Sequence, residues 1–124
     1  MRFFVYGMLK SGQPKAWMIP GSSRRPFRLY DFKMYLRKDG KAAMKRGEPG
    51  DYVDGEIRNV TWCEGRYTGW LFRWLLLKFL DWNEGVPWEV YERIELKGFY
   101  TYIYKRDTKG YKKIQSWEGI NEGR

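Results

Sequence analysis

Residues 68–83 constrain the fold more than any other part of the chain. Trp70, Leu71, Phe72, Trp74, Leu75, Leu76, Leu77, Phe79, Leu80 and Trp82 follow one another there with no proline between them. Apolar side chains at this density predict one long α-helix, and their presence on nearly every face predicts that it is buried on most sides. Arg73 and Lys78 interrupt the run. The run is also shorter than the ~20 residues a membrane span needs, so a buried helix is expected and no membrane partner. Gly85 follows as a C-terminal stop, since glycine takes the left-handed conformation at little cost.

The segments around this helix alternate with the period of strands. Residues 2–6 are rich in Phe, Val and Tyr and end at Gly7. Residues 8–14 form a loop, and Pro14 suits the first turn of a short helix through Trp17 and Met18. Residues 27–36 alternate imperfectly, as one strand or two. Residues 38–51 are polar, carry Gly40, Gly47, Pro49 and Gly50, and are expected to form an excursion on the surface. Residues 52–60 alternate cleanly. Residues 91–97 and 99–105 predict two strands turning near Gly98, and residues 111–117 add a last one. With no repeat and no linker, residues 1–124 are expected to form a single α+β domain, with a closed barrel as one possible arrangement.

Composition removes several kinds of chemistry. The chain has no histidine and one cysteine, Cys63, which is expected to be a free thiol in a reducing cytoplasm. Ser-His and Cys-His nucleophiles are thereby excluded and a zinc site is disfavoured. Any catalysis must rest on carboxylates, tyrosines, lysines or backbone groups. The apolar run after Met1 is too short for a secretory signal. The net charge is +9 and 19% of residues are aromatic, a composition shared by nucleic-acid binders and by basic proteins of hot organisms. Asn and Gln number only five together, which leans towards the latter.

Three segments carry a more specific signal. The first is Val5-Tyr6-Gly7-Met8-Leu9, followed by Gly12-Gln13-Pro14. The second is Val53-Asp54-Gly55-Glu56-Ile57. The third is Leu80-Asp81-Trp82-Asn83-Glu84-Gly85, followed by Tyr91-Glu92-Arg93. In this order the chain resembles the gamma-glutamylcyclotransferase-like family, whose members open on a tyrosine-glycine-any-leucine strand end. They end a long helix on a glutamate-glycine pair. The resemblance implies an α+β fold: a small mixed β-barrel with one long buried helix and short flanking helices. It implies a cavity between the Tyr6 loop and the end of the helix, and no metal or organic cofactor.

The activity it implies is the release of 5-oxoproline and a free amine from a small γ-glutamyl compound. Glu84 then takes the family's general acid/base role, with Tyr6, Gly7, Met8, Leu9 and Tyr91 binding substrate. Physical chemistry favours Glu84 independently. It stands past the negative end of a helix dipole, and Trp82, Val86 and Trp88 are near enough in sequence to desolvate it, both of which raise a carboxylate's pKa. A glycine-ended strand at Tyr6-Gly7 can turn successive amides towards one anion. Met8 departs from the threonine or serine frequent in the family, which leaves a backbone contact but no hydroxyl. Glu56 is a second candidate carboxylate. Tyr100, Tyr102 and Tyr104 put three rings on one strand face, for packing or for ligand contact. Two other readings stay open: a binding or regulatory protein on the same fold, and a nucleic-acid-binding domain that uses the charge and exposed rings. On the enzyme reading no specific nucleic-acid partner is expected.

Overall fold

The computed structural model describes residues 1–7, 23–60 and 69–116. Its strands are β1 (Arg2–Val5), β2 (Ser23–Tyr30), β3 (Phe32–Leu36), β4 (Ala42–Arg46), β5 (Tyr52–Asn59), β6 (Tyr91–Leu96), β7 (Phe99–Tyr104) and β8 (Lys112–Ile114). One α-helix, α1 (Gly69–Asn83), lies between β5 and β6, and a single 3-10 turn, Val86–Trp88, follows it. The architecture is mixed α+β and mostly sheet.

β1 explains its own composition. It is the middle strand of a five-stranded sheet ordered β2-β5-β1-β7-β6, antiparallel to β5 and parallel to β7. A strand covered on both faces must be apolar throughout, not alternating. Phe3 and Val5 join a core with Leu76 and Leu80 of α1, Val60, Tyr102 and Tyr104. Phe4 and Tyr6 join a second core with Leu29, Met34, Met44, Val53 and Ile57. That second core is closed by a three-stranded sheet ordered β4-β3-β8. Gly55 of β5 is required where β5 crosses β1, because a Cβ there would lie 2.5 Å from the Val5 carbonyl oxygen and 2.8 Å from the Phe4 ring.

Four expectations need correction. The described strands make two sheets with free edges and not a closed barrel. The long helix is not buried on most sides: Leu76 and Leu80 are buried, but Leu71, Trp74, Leu75, Phe79 and Trp82 are exposed. One sheet covers one side of a helix, so a second layer would be needed to cover the rest. The excursion at 38–51 contains β4, whose Ala42, Ala43 and Met44 are buried. Of short flanking helices, only the Val86–Trp88 turn lies among the described residues, and the helix expected after Pro14 falls outside them. Residues 27–36 resolve into two strands hinged at Asp31, which takes a positive φ of 68°.

Candidate functional site

Five parts of the fold converge on one cavity of about 270 Å³. The end of β1 brings Tyr6 and Gly7, the end of α1 brings Asn83, Glu84 and Gly85, and the start of β6 brings Tyr91. The β3–β4 hairpin adds Arg37, Lys41 and Ala42, and β7 adds Tyr102. Of the expected site residues, Tyr6, Gly7, Glu84 and Tyr91 thus stand around the same space. Met8 and Leu9 lie outside the described residues.

Glu84 is held by the way α1 ends. Its N–H donates to the Leu80 carbonyl at 2.9 Å, so it belongs to the last helical turn. Gly85 then reverses the chain in the left-handed region, φ 76°. A Cβ at Gly85 would press on the Val90 side chain at 3.2 Å, so both backbone angle and space call for glycine. No basic residue stands in the last turn of α1, so nothing there offsets the negative end of the dipole.

The walls are tyrosines fixed by their own hydrogen bonds. The Tyr6 hydroxyl donates to the Tyr102 carbonyl at 2.7 Å, and the Tyr91 hydroxyl donates to the Ala42 carbonyl at 2.5 Å. Arg37 Nη1 donates to the Tyr91 hydroxyl at 3.3 Å. The Tyr102 hydroxyl donates to Asp81 Oδ1 at 2.7 Å, while Asp81 Oδ2 pairs with Arg93 at 2.9 Å. Burial pushes the Tyr6, Tyr91 and Tyr102 phenols above the ordinary tyrosine value, and the nearby Glu84 charge pushes each in the same direction. All three therefore stay protonated across the neutral range. Glu84 is close enough to act electrostatically on three separate walls of the cavity.

Opposite in sign stand Arg37 and Lys41. Arg37 is steadied by an ion pair with Asp39 at 2.9 Å and lies over the Tyr104 ring at 5.3 Å. The described lining therefore carries a carboxylate from one element and two cations from another.

Some expectations at the site are corrected. Trp82 and Trp88 do not line the cavity. They meet edge to face at 6.1 Å on the exterior, each more than half exposed. The apolar surround expected from them is supplied instead by Phe3, Phe4, Val5 and Val90. Glu56 pairs in register with Val5 and Pro26 and is not part of the cavity lining. Tyr102 and Tyr104 are buried, so the stripe on β7 serves the core, with Tyr102 also a cavity wall. Arg37, Lys41 and Asn83 were not singled out from the sequence. The polar hairpin around Gly40 carries no local sign that it folds back over β1.

No family model matches the chain, and no curated protein matches its sequence. Solved structures do match in fold. An uncharacterized protein from Pyrococcus horikoshii aligns over 93% of this chain and 86% of its own, at 16% identity and TM-score 0.66. Protein ytfP from Escherichia coli aligns over 100% of both chains at 23% identity and TM-score 0.62. An AIG2-like protein from Mus musculus aligns over 94% of this chain and 87% of its own, at 21% identity and TM-score 0.61. At these identities the likeness is one of fold: the chain shares the fold of these neighbours, the AIG2-like protein among them.

Proposed function

We propose that this protein is a gamma-glutamylcyclotransferase-like enzyme acting on a small γ-glutamyl compound. The observation that carries the reading is the convergence of Tyr6, Gly7, Glu84 and Tyr91, from separate stretches of sequence, on one cavity. At about 270 Å³ the space is just below the ~300–1,000 Å³ of sites for larger ligands, which suits a small metabolite.

The charge arrangement suits the amino-acid end of such a substrate. Its α-ammonium faces Glu84, and its α-carboxylate faces Arg37 and Lys41. The Tyr6 and Tyr91 phenol protons are already committed to backbone carbonyls, so these rings act as fixed walls and orient the ligand by shape. Held this way, the chain of the γ-glutamyl group folds back on itself, and the reaction becomes intramolecular.

Glu84 takes a proton from the α-ammonium. The freed amine attacks the side-chain amide carbon, forming the new C–N bond of a five-membered ring and a tetrahedral oxyanion. Glu84 returns its proton to the leaving nitrogen as the original C–N bond breaks, and the second proton of the attacking nitrogen follows by the same route, so that the ring nitrogen ends as N–H and the amine leaves as its ammonium. The products are 5-oxoproline and a free amine, with no net change in protons on the protein. One carboxylate that both accepts and donates is economical when its pKa is raised towards neutrality.

The test is mass spectrometry for 5-oxoproline after incubation with a panel of γ-glutamyl amines, amino acids and peptides. Turnover of at least one compound, lost in Glu84→Gln, is the expected result. Turnover undiminished in Glu84→Gln would remove Glu84 from the mechanism. Ligand binding without 5-oxoproline from any compound would favour a binding or regulatory protein on the same fold.

A further inference from the structure

The helix that carries Glu84 turns an apolar face outward. Leu71, Trp74, Leu75, Phe79 and Trp82 recur at intervals of three and four, which places them on one side of α1, and all five are exposed. Trp88 extends the face beyond the helix end through its edge-to-face contact with Trp82. Trp74, Trp82 and Trp88 each leave more than half of their surface in solvent. A contiguous apolar patch of this kind marks a contact surface.

We propose that this outward face of α1, continued by Trp88, docks on an anionic phospholipid bilayer. The chemistry of the face and of its border selects that partner. Tryptophan is the side chain that favours the boundary between headgroups and acyl chains, because its ring is apolar and its N–H remains polar. The exposed Lys78 lies between Trp74 and Trp82 on the helix, and its long apolar stem lets the ammonium reach headgroups while the rings sink beside it. Lys105 and Arg106 stand by Trp88, Arg106 donating to the Trp88 carbonyl at 3.3 Å. Near them Glu89 is paired with Lys105 at 3.9 Å. The chain as a whole carries +9, which an anionic leaflet attracts.

A second copy of the chain fits this face less well. Two-fold pairing through α1 brings the two Lys78 ammonium groups towards each other near the middle of the contact, between molecules of +9 each. The absence of a spanning segment among the described helices bears only on crossing the bilayer, whereas an interfacial helix lies in its plane. The sequence expectation of no membrane partner rested on spanning alone, and a contact in the plane of the bilayer lies outside that argument.

The test is flotation of the full chain with vesicles of phosphatidylcholine, with and without phosphatidylserine, alongside sedimentation velocity without lipid. Binding to the phosphatidylserine vesicles is expected, with a blue shift of tryptophan emission. It should weaken at least about tenfold on phosphatidylcholine alone or at high salt. Trp74→Ser with Phe79→Ser, neither of them part of the cavity lining, should abolish it while the circular dichroism melt is retained. Lys78→Gln should weaken it about fivefold, the ~1 kcal/mol that one basic side chain contributes near an anionic surface. Failure to float with either vesicle would overturn the proposal, as would flotation unchanged in the Trp74/Phe79 variant. A lipid-free dimer that the same variant dissociates would also overturn it, and would assign the face to a second copy.

Discussion

Glu84 sits where two backbone requirements meet: the last turn of α1, which fixes its amide on Leu80, and the left-handed Gly85. Replacing the carboxylate by its amide keeps that geometry and removes the proton acceptor. Glu84→Gln is therefore expected to lower kcat by ~10²–10⁴-fold with little change in ligand affinity, read by 5-oxoproline formation and by calorimetry. Arg37 should divide its effect the other way. As a partner for the substrate carboxylate it contributes to ground-state binding, so Arg37→Gln should raise KM more than it lowers kcat. An equal loss in kcat and kcat/KM would instead place Arg37 in the transition state. The difference in how these two residues were found is physical. Glu84 belongs to a local pattern, a helix end followed by glycine, which a sequence displays directly. Arg37 and Lys41 enter the cavity only because the β3–β4 hairpin folds back beside β1, a long-range event with no local signature.

The same distinction runs through the elements. β1, β5, β6 and β7 were legible because their side chains alternate or are uniformly apolar for a reason that the sheet then supplies. β4 was not, because Ala42-Ala43-Met44 carries neither β-branching nor aromatic rings, and its place in the core depends on small side chains fitting between sheets. The existence of α1 was legible but not its exposure. Hydrophobic residues on all faces show that a helix has apolar contacts, and they do not say whether protein or another partner makes them. A pair of substitutions separates the two sides of this helix. Leu80 is fully buried against the Phe3–Tyr102 core, so Leu80→Ala should destabilise by ~2–5 kcal/mol. Phe79, on the outward face, should cost under ~1 kcal/mol when changed to serine. Urea midpoints at constant slope measure both. Leu80→Ala keeps the backbone carbonyl that accepts the Glu84 amide but loosens the packing of the helix end beside it, so the variant should lose activity together with stability, whereas Phe79→Ser should keep it.

For the whole molecule, the titration of the buried phenols links stability to the architecture of the cavity. Tyr6, Tyr91 and Tyr102 come from three different strands or strand ends and are all buried, and each phenol is raised above the ordinary tyrosine value of 10.0, first by burial. A raised pKa means that the folded protein holds these protons more tightly than the unfolded chain does. Below the unfolded value both states are protonated and the stability contribution is complete. As pH rises past about 10, the unfolded chain begins to release protons that the folded state retains, so unfolding becomes progressively more favourable. Each such tyrosine contributes a fall of about 1.4 kcal/mol per pH unit within that window. Stability measured by urea unfolding should thus be flat with respect to these groups from neutrality to about pH 10, and decline steeply above it. Phenolate absorbance from these three tyrosines, read as the difference from their Tyr→Phe variants, should rise together with unfolding instead of ahead of it, because the three groups ionise only when the cavity opens. Tyr91→Phe keeps the ring but removes one titrating group, so it should make the decline shallower by about one proton's worth of slope while leaving its onset in place. A stability that stays flat well above pH 10, or phenolate absorbance from these tyrosines appearing before the fold is lost, would show that the rings are solvated and that the cavity walls are not held as the hydrogen bonds to Tyr102 and Ala42 require.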